Sequence, residues 1–125
     1  MRRSLSFAVS VAAAAAAVLA AQDRNLRTAE AKHYIGSTAT VCGSVMAVHY
    51  LSASRGQPTL LDIDKTPKPE FSVMIAGADR AKFGGSPEVA YRDKVICITG
   101  RIRTYEEGVQ IVATDPKQIE IQGER

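Results

Sequence analysis

The stretch TATVCGSVMAVHYL, residues 38–51, decides the class of fold. Ala39, Val41, Gly43, Val45 and Ala47 fall on one face, and Thr40, Cys42, Ser44 and Met46 on the other. A period of two marks a strand with one buried face. Gly43 inside it predicts a bulge or a sharp bend.

Working outward, the same period recurs four times. PTLLDIDK (58–65) reads as a second strand, with Leu61 and Ile63 on one side and Leu60, Asp62 and Asp64 on the other. TPKPE (66–70) ends it, because neither Pro67 nor Pro69 has an N–H for the ladder. FSVMIAG (71–77) is a third strand, with Phe71, Val73 and Ile75 in phase as core candidates. ADRAKFGGSPEVAYRDK (78–94) has no strand period and suits a short helix, or two turns divided by Gly84, Gly85 and Pro87. VICITGRIRTYEE (95–107) is a fourth strand, with Ile96, Ile98, Gly100 and Ile102 in phase, and Glu106-Glu107-Gly108 turns the chain. VQIVATDPKQIEIQ (109–122) is a fifth, interrupted near Asp115-Pro116. Ahead of them all, Thr28 is a candidate cap for a short helix over Ala29 to Tyr34, which Gly36 ends.

Three strands, a helical interval and two strands predict an all-β domain with a short helix. The arrangement is a five-stranded Greek-key barrel of the OB type, with its helix between strands 3 and 4 and a further short helix at the N-terminus. Closure hides sheet edges that a small β-domain otherwise exposes. An open antiparallel sheet is the alternative.

The first residues read differently. Met1-Arg2-Arg3 is basic, an Ala-dominated apolar run follows from 7 to 21, and small residues close it. That order is expected of a secretory signal peptide over 1–20, cleaved after Ala20 or Ala21. The run is short for a membrane span, which needs about 20 apolar residues; an uncleaved N-terminal anchor is the competing reading. The expected organisation is therefore signal 1–20, polar leader 21–27, OB domain 28–122 and tail 123–125. Export to the periplasm or the medium of a bacterium follows, with no membrane insertion after cleavage.

Removal of the signal changes the charge. The chain carries 16 Lys+Arg and 13 Asp+Glu. Arg2 and Arg3 leave, so 14 face 13. A near-neutral domain lacks the global field that steers polyanions. Two cysteines, Cys42 and Cys97, suggest a disulfide in an exported protein. In an OB barrel strands 1 and 4 are neighbours. Both cysteines point away from their strands' inward glycine faces, so they are placed to be bridged; two packed thiols are the alternative.

Catalysis has little support. His33 and His49 are the two imidazoles, and no nucleophile elbow, HExxH or phosphate-loop pattern occurs. Asp62 and Asp64 form a paired-carboxylate candidate for acid–base or cation chemistry, with a solvated strand face as the plain alternative. No catalytic residue, cofactor or metal ligand set is expected.

TVCGSV, VHYLSASRGQPTLLDIDK, IAGADRAKFG and ICITGRI together resemble a family of small bacterial secreted OB-fold modules. These are similar to the anticodon-binding type of nucleic-acid-binding OB folds and to modules found beside secreted nuclease domains. The resemblance covers roughly 29–122, and SRGQPT and DRAKFG are its specific pieces. It implies an OB barrel with a face for single-stranded nucleic acid around Arg55, Gln57, Lys65 and Tyr105. Members commonly carry an aromatic where this chain has Ala76, and Glu106 and Glu107 would repel phosphates.

In OB folds ligands meet the outer strand face and the loops between strands 1–2 and 4–5. The candidate binding set is His49, Tyr50, Arg55, Gln57, Lys65 and Tyr105. Tyr50 and Tyr105 offer rings for stacking; Arg55 and Lys65 offer charge; Gln57 offers an amide. Caps on the barrel ends are the alternative for the rings, and a brace to Asp62 or Asp64 is the alternative for Arg55. The expected function is weak single-strand binding by a non-enzymatic module. The alternative is a scaffold for a protein, peptide or small ligand.

Overall fold

The computed structural model describes residues 25–84 and 86–123. Seven strand segments lie in it: β1 (Asn25–Arg27), β2 (Thr38–Tyr50), β3 (Thr59–Ile63), β4 (Phe71–Ile75), β5 (Val95–Tyr105), β6 (Gly108–Val112) and β7 (Ile119–Ile121). They run in the order β1-β2-β3-β4-β6-β5-β7, and a further β2–β5 pairing closes the barrel. Closure rules out the open sheet. β4 and β6 pair parallel, and the other barrel pairs are antiparallel. This is an OB-like barrel.

Its core is the predicted phase. Val41, Leu61, Phe71, Val73, Ile75, Ile96, Ile98, Ile102 and Ile111 are all fully buried. Burying such side chains is worth about 1.5–3 kcal/mol each, and the alternation drives the register.

The strand count is seven where five were expected. Asn25–Arg27, the end of the expected polar leader, pairs parallel with β2 and buries Leu26. Three residues with one apolar side chain are too short to show a period. The expected fifth strand is two: Asp115 caps a 3₁₀ turn over Pro116–Gln118, accepting from Lys117 N at 2.8 Å, and β7 starts beyond it.

Two local expectations shift. The bulge is at Met46, not Gly43: Val45 pairs with Ile63 and Ala47 with Asp62. The extra residue flips the phase, so Val48 rather than Ala47 packs on the core. Gly43 serves close approach instead, since a Cβ there would sit 2.5 Å from Ile63 Cγ2 and 2.9 Å from the Asp64 carboxylate. The opening helix is 3₁₀, Thr28–Tyr34, with Arg27 at its N-cap. Arg27 N donates to Glu30 Oε1 at 2.8 Å, while Thr28 Oγ1 reaches Asp64. Gly36 ends the segment at φ 91.

The interval 76–94 holds a 3₁₀ helix, Gly77–Phe83, and a short α-helix, α1 (Pro87–Tyr91). Phe83 and Tyr91 meet edge to face at 6.4 Å and are buried in the core cluster. On the β2–β5 seam Cys42 stands directly opposite Cys97, and the two form a disulfide with Cα atoms 4.0 Å apart. No described helix is long and apolar enough to cross a membrane. The expected signal and its cleavage site lie outside the described residues, as do the last two residues of the expected tail.

Candidate functional site

A cleft of about 660 Å³ opens on the outer face of β3 and β4, against the 105–108 turn. Strand alternation builds its floor. Leu60, Asp62 and Ser72 are out of phase with the core and so point outward, and all three line the cleft. Asp62 pairs with Ser72, Ser72 with Gln110 and Gln110 with Arg103, making one polar row across four strands. Gln110 is fully buried. It donates to Ser72 Oγ at 3.1 Å and accepts from Arg103 at 2.7 and 3.2 Å. A buried amide is tolerated only when bonded in this way.

Asp62 is held from one side. Its Oδ2 accepts from Thr66 Oγ1 at 2.7 Å and meets His49 Nε2 at 3.1 Å. Asp64 does not share that face. It leaves the strand at φ 66, accepts from Ser44 N at 2.8 Å and from Thr28 Oγ1 at 3.0 Å, and staples the barrel's N-terminal end. The pair therefore has two separate tasks.

The cleft walls mix apolar and charged groups. Leu51, Pro69, Tyr105 and Val109 supply apolar surface. Glu70, Glu106 and Glu107 join Asp62 as carboxylates, against Lys65 and Lys68. Four negative charges thus face two positive ones.

The candidate residues divide. Lys65 and Tyr105 line the cleft, and His49 borders it through Asp62. Tyr50 lies one residue on, in the opposite phase, with the Arg80 guanidinium 3.6 Å from its ring centre. Arg80 also donates to Thr59 Oγ1 at 2.7 Å and pairs with Glu88 at 3.1 Å. Arg55 and Gln57 sit exposed on the 51–58 loop, away from the cleft lining. Gln57 Nε2 donates back to Ser52 O at 3.2 Å. Arg55 bonds to neither Asp62 nor Asp64, so the expected brace is absent among the described residues.

The two sequence pieces SRGQPT and DRAKFG form one unit. Gly77 N donates to Gly56 O at 2.9 Å, and a Cβ on Gly77 would lie 2.6 Å from that oxygen. Arg80 then clamps Tyr50 and Thr59 on either side of the loop. The loop is braced by Arg80, a role that no local pattern marked. The Ser72–Gln110–Arg103 row was likewise missed, because it rests on a parallel, non-local pairing; polar residues inside otherwise apolar strands were its only trace.

Glu88 carries the one shifted carboxyl in this region. Burial pushes it up, but hydrogen bonds from its own backbone amide, Arg80 and Ser86, with the Arg80 charge, hold it below its ordinary value.

The closed seam and the parallel β4–β6 pair define an OB-like barrel. No family model matches the chain, and no curated protein matches it in sequence. Solved structures do. An OBody, AM1L10, bound to hen egg-white lysozyme is similar at 20% identity and a TM-score of 0.51, over 78% of this chain and 91% of that one. A putative aspartyl-tRNA synthetase from Leishmania major Friedlin is similar at 10% identity and a TM-score of 0.53, over 78% of this chain; the match spans 20% of the synthetase. The S. pombe Stn1–Ten1 complex matches at 19% identity and a TM-score of 0.48, over 74% of this chain and 68% of that one. The likeness is one of fold.

Proposed function

We propose that this chain is an exported, non-enzymatic binding module whose cleft receives a segment of a protein or peptide. The charge of the cleft carries this reading. A phosphate backbone would meet Asp62, Glu70, Glu106 and Glu107 as well as Lys65 and Lys68, and single-strand affinity depends on net positive charge along the groove. Apolar surface from Leu51, Pro69, Tyr105 and Val109 set among charged groups suits a protein or peptide ligand, which can meet both. The non-enzymatic part rests on the sequence pattern alone, in which no nucleophile elbow, HExxH or phosphate-loop motif occurs. Export rests on the N-terminal sequence pattern and is supported by the disulfide.

A second reading, weak binding of single-stranded nucleic acid, is favoured by Tyr105 beside Lys65 and Lys68 in the same cleft. Site-specific photocrosslinking separates the two. A benzophenone side chain is placed at position 105, and a control at Glu120 on β7, outside the cleft lining, in the producing cell. The proposal expects a protein adduct at 105 and little at 120. Nucleotide adducts at 105, or equal yields at both positions, would overturn it.

A further inference from the structure

We propose that the cleft floor is a socket for one cationic side chain, Arg or Lys, of that bound segment, with its head group on Asp62 Oδ1. The inference rests on the reading that the cleft is where the ligand lies. Asp62 is nine-tenths buried, its side chain 9% exposed. Both of its described partners, His49 and Thr66, use Oδ2. Oδ1 has no hydrogen bond among the described residues, although Asp62 lines the cleft. A carboxylate oxygen accepts two hydrogen bonds, and Oδ1 is not among the fully buried unpaired atoms, so it stays accessible to a donor entering from the cleft. The protein's own cations do not serve it. Arg103 is committed to Gln110, and neither Lys65 nor Lys68 bonds to Asp62.

The surroundings select the class of donor. Glu70, Glu106 and Glu107 add negative charge along the rim. No three His, Cys, Asp or Glu groups among the described residues are close enough to hold a metal ion. The fitting cation is therefore one that brings its own N–H donors. Leu60, Pro69 and Val109 offer apolar surface for a methylene stem, which long cationic side chains bury while their heads reach polar partners. Tyr105 adds a ring on which a guanidinium can stack. The volume, about 660 Å³, exceeds one side chain and leaves room for flanking residues of an extended chain.

The test is a ¹H–¹⁵N titration of the disulfide-bonded protein with three probes: acetyl-Ala-Ala-Arg-Ala-Ala-amide, its citrulline counterpart and an oligothymidylate of twelve nucleotides. Citrulline keeps the shape of Arg and removes the charge. The proposal expects the Arg peptide to move the amides of Leu60, Ser72 and Gly108, and to bind at least tenfold tighter than the citrulline peptide. Asp62→Asn should bring the Arg peptide down to the citrulline level. Glu106→Gln with Glu107→Gln, on an exposed turn where folding is undisturbed, should weaken it two- to fivefold at low salt. Equal affinity for the two peptides at the cleft overturns the socket and leaves the peptide-binding reading standing. Cleft shifts with the oligonucleotide alone overturn the socket and favour the single-strand reading. Silence of the cleft towards all three overturns the socket and the binding reading together.

Discussion

Reducing the Cys42–Cys97 disulfide should cost this domain about 4 kcal/mol. The two residues are 55 apart in sequence and directly opposite on the β2–β5 seam. Closing a loop of that length removes about 14 cal/mol/K from the unfolded chain, which is about 4 kcal/mol at 25 °C. The native register does not need the bond. Thr40 and Thr99, two residues further along the same face, share a hydrogen bond at 2.6 Å, and Val41, Ile96 and Ile98 hold the inner face. The loss should therefore fall on the unfolded state. Urea melts of oxidised and reduced protein would measure it. The reduced form should unfold cooperatively at a lower midpoint with a larger m-value, because its unfolded chain exposes more surface. Its Tm should fall by roughly 15–30 °C for a domain near 100 residues. A difference below about 1 kcal/mol, or no change in m, would refute the loop-closure reasoning.

Further outcomes follow from single contacts. Gln110→Leu should destabilise by about 1–3 kcal/mol, measured by urea melts, because it strips Ser72 and Arg103 of a partner inside the sheet. Arg80→Ala should leave the β3–β4 core protected while amide exchange at Leu51 and Gln57 accelerates, because the clamp on Tyr50 and Thr59 is gone. The Glu88 carboxyl, held below its ordinary 4.5 in the fold, contributes stability that is present above that value and lost as pH falls through the depressed one. Glu88→Gln should therefore flatten the acid limb of a stability–pH curve below about 4.5, and a wild-type limb that is unchanged in the variant would count against the Arg80 pair.

The core was legible because it obeys one rule. Phe71, Val73 and Ile75, or Ile96, Ile98 and Ile102, alternate without exception and are buried without exception. The cysteine pairing was legible because strand phase put both thiols on the outward face and the OB arrangement made their strands neighbours. The bulge was misplaced because Gly43 carries a local signal whereas Met46 carries none; only the register against β3 reveals it. The lining of the candidate cleft was half legible. Lys65, Tyr105 and the two turn glutamates stood out as charges and rings at strand ends. The separate tasks of Asp62 and Asp64 depend on a positive φ at Asp64, which alternation does not foresee. The Arg80–Tyr50 contact depends on how a helical segment packs beneath a loop 21 or more residues earlier in the chain.

With Asp62, Glu70, Glu106 and Glu107 facing Lys65 and Lys68, the cleft should disfavour polyanions. Fluorescence anisotropy of a labelled twelve-nucleotide single strand, titrated with the disulfide-bonded protein at about 20 and 150 mM salt, measures it directly. Screening lengths near 20 and 8 Å at these strengths make any phosphate contact salt-sensitive. No binding is expected at the higher salt and only weak binding at the lower, which strengthens when Glu106 and Glu107 are both changed to Gln. Micromolar binding at 150 mM salt that falls steeply with added salt, and is lost in a Lys65→Ala, Lys68→Ala double variant, would contradict it.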